Sequence, residues 1–297
     1  VKMTPCAMAP DLIAACINRY TDHSCRLWYP RHGASTELQP YHENRADLLH
    51  FHNMYKKTDK TSVIQYHSEP MMAGSERFNR GVSLNPPKMC KKLVVAQYHA
   101  GLDIYKDCIP VRNVIDFEED VYNPIIVKDK IRIGFSPSTR DENAFGVWHN
   151  KGVKQTERVL RAIAGQFPHV EYDIIIGVRP YECVRRKSLC NIIIDECVTP
   201  SYHKSGLEGL ALGKLTISWI DEKVEKILKK ASRSDINPFE SVYVGWLEDR
   251  LAEICTSGID YILNEGKKNR KWMEKYWHPA DITKEYVDRY EEVLNKS

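Results

Sequence analysis

The sequence predicts an α/β protein of two successive domains, each built on a parallel sheet. Three observations carry this expectation. Short apolar runs alternate with helix-length segments along nearly the whole chain, the signature of βαβ units with buried strands. The pattern is interrupted by a stretch rich in Asp, Glu and Asn that ends at Asn123-Pro124, and then restarts. The 297 residues suit two domains of ordinary size, each long enough to bury a core.

The elements follow in order. Residues 11–20 place Leu12, Ala15 and Cys16 at helical spacing, with Asp11 as cap and Pro10 at the entry. Cys25–Tyr29, Asp47–Phe51, Ser62–Tyr66 and Leu93–Ala96 read as strands. The segment Pro110–Asp116, running on to Asn123-Pro124, reads as the linker. Beyond it, Lys130–Gly134 is a strand, and residues 152–165 form a helix with Val153, Val159, Leu160 and Ile163 inward. Tyr172–Ile176, Asn191–Ile194 and Leu215–Ser218 are further strands. Residues 282–294 put Ile282, Tyr286, Val287, Tyr290, Val293 and Leu294 on one stripe that must pack on something.

Composition narrows the function. Lys and Arg number 43 against 40 Asp and Glu, so a net charge of +3 announces neither a nucleic acid nor a membrane. The basic clusters at Lys56-Lys57, Lys229-Lys230 and Lys267–Lys271 read as solvated helix ends and loops. Nine cysteines without a C-x-x-C pair argue against a disulfide framework or a zinc site. No apolar run approaches the ~20 residues of a membrane span, and Val1–Pro5 lacks a signal-peptide core. The expectation is a cytoplasmic, reduced protein. No G-x-S-x-G, G-x-x-x-x-G-K-[ST] or G-x-G-x-x-G motif occurs, which weighs against hydrolase, P-loop and dinucleotide-binding readings. His50 and His52 alternate on one strand face, a spacing that suits a metal, but no third ligand is evident.

Residues 191–217 are the most informative stretch. A buried strand ends at Asp195, a polar loop runs to Ser205-Gly206, and a short helix from about Leu207 stops at Gly213. Glu208 would then lie in a helix's first turn at the C-terminal edge of a parallel sheet, where such sheets bind ligands. The free amides there suit a phosphate, and a carboxylate can accept two hydrogen bonds from a ribose diol. Equally, Glu208 can simply complement its own helix dipole.

The run Gly206-Leu-Glu-Gly-Leu-Ala-Leu-Gly-Lys214 before an apolar strand resembles the nucleotide-sugar signature of retaining GT-B glycosyltransferases of the family-four type. Other pieces are similar in order: Asp47–Asn53 with its His-rich tip, Val63–Ser68, the linker Ile109–Asp116, Ile131–Arg140 with Asn150–Gly152, and Arg270–Tyr276 with the final helix. Together they cover nearly the whole chain. The resemblance implies two Rossmann-like domains whose parallel sheets face a central cleft. Residues 1–118 would form the acceptor-side domain and 125–278 the nucleotide-sugar domain, with a helix over 279–297 crossing back to the first.

The implied activity is sugar transfer from a nucleotide-diphosphate sugar to an acceptor hydroxyl, with retention and without a metal or other cofactor. Arg140 and Lys151 would hold the departing diphosphate, or else serve as solvent-facing loop charges. Glu208, with Ser205, Gly206 and Leu207, would bind the donor's ribose and phosphates. Gly177, Val178 and Arg179 would line the base pocket. His67 would face the donor sugar or acceptor, or serve as a core or cap histidine.

Two positions depart from the family pattern. The loop Thr4–Pro10 has no glycine where a glycine-rich one is usual, and Pro200 stands where an acidic residue often precedes the ribose glutamate by eight. Asp195 and Glu196 lie nearby in sequence but neither occupies that slot, and the loop amides around Tyr202–Lys204 can substitute. The acceptor stays open among a saccharide, a lipid-linked sugar, a small molecule and a hydroxylated DNA base. An inverting enzyme using His67 or Asp11 as base, and a catalytically silent nucleotide-sugar binder, are the rival readings.

Overall fold

The computed structural model describes residues 8–27, 45–53, 55–67, 85–140 and 151–295. By its internal contacts the chain divides into two units. The first holds the described residues up to Val114 together with those from Pro279 onward; the second runs from Ile115 to His278.

In the first unit, β1 (Leu49–His52), β2 (Ser62–Tyr66), β3 (Lys91–Val95) and β4 (Ile109–Val111) form an all-parallel sheet in that order. β2 is buried along its whole length, as an interior parallel strand must be. β4 takes in only the first two residues of the expected linker, Pro110 and Val111, and the division between the two units falls within that segment, between Val114 and Ile115. Pro110 is tolerated there because β4 is an edge strand, where the missing N–H breaks no ladder. The described part of the Cys25–Tyr29 segment, Cys25–Leu27, is not a strand, and the remainder lies outside the described residues.

Helix α1 (Ala9–Tyr20) begins earlier than expected. Its cap position is Met8, without a side-chain cap, and Asp11 falls in the first turn. Its buried residues are Pro10, Ile13, Ala14, Cys16 and Ile17, so the inward face is rotated from the expected one and Ala15 is exposed.

The second unit has β5 (Ile131–Phe135), β6 (Val170–Ile174), β7 (Ile192–Glu196) and β8 (Leu215–Ser218), parallel, in the order β6-β5-β7-β8. Helix α2 (Val153–Gln166) leads to β6, α3 (Pro180–Ser188) to β7, α4 (Lys204–Ala211) to β8, and α5 (Glu222–Ser232) follows. The long α6 (Leu247–Tyr276) is kinked at Gly258, whose φ of +85° is a value that glycine adopts without steric cost. Val153, Val159, Leu160 and Ile163 are buried as expected, because their i, i+3, i+4 spacing forms the face of α2 that meets the sheet.

The final helix, α7 (Pro279–Leu294), belongs again to the first unit. It buries Ile282, Tyr286 and Val293 and leaves Leu294 exposed. Polar contacts fix its register. Arg112 grips Glu285 with two guanidinium nitrogens, at 2.7 and 3.2 Å. The buried Tyr286 hydroxyl donates to the Arg112 carbonyl (3.1 Å) and accepts from Gln65 Nε2 (3.0 Å).

Within the second unit the chain moves from β5 outward to β6 and then crosses back to β7. The crevice outside the carboxyl ends of β5 and β7 is thus the sheet's topological switch point, the place where open α/β sheets bind ligands.

Replacing Tyr286 with Phe leaves Gln65 and the Arg112 carbonyl without their buried partner. It is expected to destabilise the first unit by about 1–3 kcal/mol, measured by urea unfolding.

Candidate functional site

At the switch point the second unit gathers charged side chains that a core would ordinarily exclude. Glu208 is only 5% exposed. Its Oε2 accepts from Lys187 Nζ at 2.6 Å and its Oε1 lies 3.1 Å from Lys204 Nζ. Lys187, 1% exposed, also donates to Ser205 Oγ at 2.9 Å. Ser205 Oγ in turn lies 2.8 Å from Ser136 Oγ, just past β5. One network therefore ties the end of α3, the first turns of α4 and the end of β5. Beside it, the buried Asp195 accepts from Lys151 Nζ (2.6 Å) and from the His203 amide (2.6 Å).

Electrostatics keep these groups charged. Burial alone would raise the Glu208 carboxyl, but the Lys187 and Lys204 ammonium groups overcome it and bring its pKa down to about 2. Burial likewise opposes ionisation of Asp195, and Lys151 with His203 outweighs it, so Asp195 is held below the usual carboxylate range. The charge of Lys187 is disfavoured by burial yet sustained by Glu208, so its pKa is raised. Glu196 is different. Burial pushes its carboxyl up, while Oε1 accepts the Val198 and Thr199 amides at 2.8 and 2.7 Å.

The glycines of the Gly206-Leu-Glu-Gly209 run serve close packing. A Cβ on Gly206 would lie 2.7 Å from Asp195 Oδ2, and one on Gly209 would lie 2.7 Å from Thr216 Oγ1. Only a bare backbone lets α4 approach β7 and β8 this nearly. At the far end of α4, Arg270 donates to the Ala211 carbonyl, satisfying an acceptor the helix leaves open.

Of the residues the sequence singles out, the structure brings Glu208, Lys151, Ser205, Gly206 and Leu207 to this edge, with two differences. Helix α4 starts at Lys204, not near Leu207, so Glu208 lies in its second turn. The His203 amide finds its acceptor in Asp195, which lets the helix begin there. Lys151 is buried and ion-paired with Asp195, where a loop charge open to solvent was one expectation; its backbone is left-handed at φ +51°. Arg140 is exposed beyond β5. Gly177 (φ +71°), Val178 and Arg179 follow β6, with Gly177 and Arg179 exposed and Val178 half-buried. The segment 141–150, including Asn150, lies outside the described residues, as does most of the Thr4–Pro10 loop.

Sequence reasoning missed Lys187. The run Arg185-Arg186-Lys187 at a helix C-terminus reads as dipole complement, and only its third member turns inward. The i, i+4 spacing of Lys204 and Glu208 was the one available signal.

In the first unit His67 follows β2 at the sheet's C-terminal edge. Its amide donates to Asn53 Oδ1 (2.7 Å), and its Nε2 lies 2.9 Å from His52 Nδ1. The His52 ring stacks on His50 with centroids 4.3 Å apart, and His50 Nδ1 meets the Tyr290 hydroxyl at 2.8 Å. Burial, reinforced for His50 and His67 by neighbouring imidazoles, lowers all three pKa values, that of His52 to about 4. The third imidazole missing from the sequence reading is therefore present. Even so, among the described residues no group of His, Cys, Asp and Glu could hold a metal ion. The eight described cysteines are free thiols, and no described helix is long and apolar enough to cross a membrane.

No protein-family model matches the chain, and no curated protein matches it. Solved structures do. Sucrose-phosphate synthase from Thermosynechococcus elongatus superposes with TM-score 0.57 at 11% identity, covering 86% of this chain and 76% of that one. WaaG, a glycosyltransferase involved in lipopolysaccharide biosynthesis, gives 0.54 at 12% identity over 95% and 96%. A point mutant of S. aureus TarM, solved with fondaparinux, alpha-GlcNAc-glycerol and UDP, gives 0.51 at 10% identity. The match covers 77% of this chain but only 55% of TarM, so the chain spans about half that relative's length. Two parallel-sheet units with the C-terminal helix returned to the first make the GT-B architecture, and that is the fold of this protein.

Both clusters make measurable demands on stability. Lys187→Met leaves Glu208 buried with one partner and is expected to cost about 3–5 kcal/mol in chemical denaturation, most of it recovered in Lys187→Met/Glu208→Leu. The histidines impose a pH dependence on the first unit. A histidine whose folded pKa lies below its unfolded value of about 6.5 contributes its full stability above that pH, and loses it on acidification. Denaturation followed from pH 7.5 to pH 4 should show the first unit weakening below about 6.5, and His50→Phe should flatten the slope.

Proposed function

We propose that the chain is a glycosyltransferase that takes a sugar from a nucleotide-diphosphate donor held at the edge of the second sheet and passes it to an acceptor hydroxyl. The observation that carries this reading is the cluster at the switch point. Three lysines (Lys151, Lys187 and Lys204) face the carboxylates of Asp195 and Glu208 where α4 begins, with the Glu196 carboxyl beside Asp195. Such a site suits a diphosphate leaving group, whose charge lysines and helix amides can stabilise in place of a metal.

Lys204 is the most exposed of the three. Its side chain is 21% exposed, against 1% for Lys187. In this proposal a donor phosphate draws Lys204 away, and the vacated Oε1 of Glu208 accepts a ribose hydroxyl while Oε2 stays on Lys187. Arg140 and Lys151 add charge as the sugar–phosphate bond lengthens, and Gly177, Val178 and Arg179 line the base. As the anomeric carbon becomes electron-poor, the acceptor hydroxyl attacks from the leaving group's own face. The bond to the diphosphate breaks, and the hydroxyl proton passes to a phosphate oxygen, giving retention. Residues 125–278 are the donor domain in this reading and 1–118 the acceptor side.

One observation favours a second reading. His52 and His67 form a hydrogen-bonded pair of neutral imidazoles. Such a pair can remove a proton from an acceptor hydroxyl, His67 as base and His52 as its orienting partner, and that chemistry would invert the anomeric centre. Anomeric analysis of the product by NMR separates the two.

The primary test is thermal unfolding with UDP-, GDP-, ADP- and CDP-glucose. A matching donor at a hundredfold its Kd is expected to stabilise the protein by about 2.7 kcal/mol, and Lys204→Ala to weaken that donor roughly tenfold. If no nucleotide sugar moves the transition, the reading fails.

A further inference from the structure

The carboxyl edge of the first sheet gathers uncharged hydrogen-bonding groups from three successive strand ends. Asn53 follows β1 with a left-handed backbone, φ +61°, and its amide donates to the Gln65 carbonyl at 2.9 Å. His67 follows β2, and the register pairing Tyr66 with Val94 sets it level with Val95, where β3 ends. The chain then turns sharply. The Ala96 amide crosses to the Val111 carbonyl of β4 (2.8 Å), and the Gln97 amide folds back to the Val95 carbonyl (2.8 Å). The Gln97 carbonyl accepts the Ala100 amide (2.9 Å), which opens a short 3₁₀ helix over Tyr98–Gly101. His99 lies in that turn, near enough to His67 to help depress its pKa.

Gln97 is thus held through its backbone, and the residue is only 5% exposed. Its Nε2 is nonetheless buried without an acceptor. An amide left in this state costs about 1–3 kcal/mol, and a folded chain seldom keeps one without a use for it. His50 Nε2 and Gln65 Oε1 are buried without partners too, but each of those side chains is anchored through its other polar atom, to Tyr290 and Tyr286. Among the described residues the Gln97 side chain has no such anchor. It stands just past the end of β3, at the edge where parallel sheets meet their ligands.

The chemistry of the edge narrows the ligand. A carboxamide and a neutral imidazole each both donate and accept, as a hydroxyl does. His52, with its pKa lowered to about 4, stays uncharged near neutral pH. The cation just beyond β4, Arg112, is committed to Glu285. A phosphate or carboxylate reaching these groups would lose its water without gaining a counter-charge. A ring bearing several hydroxyls can meet each of them with a donor or an acceptor.

We propose that the Gln97 amide, beside the His52–His67 pair, holds a hydroxyl of an uncharged sugar acceptor and selects it over phosphorylated or acidic ones. This acceptor class rests on the transferase reading, whose acceptor it narrows.

The test uses the full chain with whichever nucleotide sugar raises its unfolding temperature. Methyl glucoside, mannoside and galactoside are offered beside their phosphate esters and the matching uronic acids. Release of nucleoside diphosphate above the acceptor-free rate is followed. At least one neutral glycoside should be taken up, and its charged counterparts used about tenfold less well or worse. Gln97→Leu should raise the KM for that glycoside about tenfold while leaving donor stabilisation unchanged. The same variant should match or exceed the parent in urea unfolding, because it removes an orphaned amide. A purely structural glutamine would instead make it less stable. Charged acceptors used as well as neutral ones, an unchanged KM in Gln97→Leu, or a loss of stability in that variant would each overturn the site. Donor binding without turnover of any neutral glycoside also overturns it and leaves the donor site standing. If no nucleotide sugar stabilises the parent protein, the transferase reading itself has failed, and this site with it.

Discussion

Lys187 and Glu208 meet in the interior of the second unit at 2.6 Å, and each is sheltered from water almost completely. Two isolated charges in such a place would cost several kcal/mol each, so neither tolerates the other's absence. The pair therefore constrains the three elements that carry it. The last turn of α3 must lie against α4, α4 must start early enough to put Glu208 in its second turn, and Ser205 must face both Lys187 and Ser136. The glycines at 206 and 209 make this possible by letting α4 sink onto the sheet.

The consequence is a sheet edge on which paired lysines and carboxylates are preorganised. Asp195 plays for Lys151 and the α4 amide end the part that Glu208 plays for Lys187. Each carboxylate fixes a lysine in a place where an anion can later meet it. The partly exposed Lys204 shares a carboxylate that keeps its other oxygen on Lys187. In the proposed reading, a sheltered charge below and a more exposed charge above serve a ligand that arrives as a diphosphate and leaves as one.

The first unit follows different physics. Its edge carries imidazoles kept neutral by burial, where the second keeps its groups ionised by pairing. Helix α7 completes that unit through Tyr286 and Glu285, so residues far apart in sequence, Gln65 and Arg112 among them, depend on the chain's last helix for hydrogen bonds.

Much of the architecture was legible because buried parallel strands are written as apolar runs. Ser62–Tyr66 and Leu215–Ser218 appear at their expected bounds, and α2 buries the four residues its period assigns inward. The strand at Ile109–Val111 was hidden by a proline that an edge position tolerates. The site was legible only in part. Glu208 and Lys151 were visible through motifs, but their ion-pair partners Lys187 and Asp195 lie 21 and 44 residues away, and no local pattern links them. Lys187 in particular carried the signature of an ordinary helix end. Helix α4 starts earlier than its local pattern suggests, because the amide before it is satisfied by a side chain from the preceding strand. The most direct measurement is a crystal structure with a nucleoside diphosphate bound. The account predicts the diphosphate against Lys204 and the first turn of α4, with a ribose hydroxyl on Glu208 Oε1; a nucleotide seated elsewhere, with the Lys204–Glu208 contact intact, would contradict it.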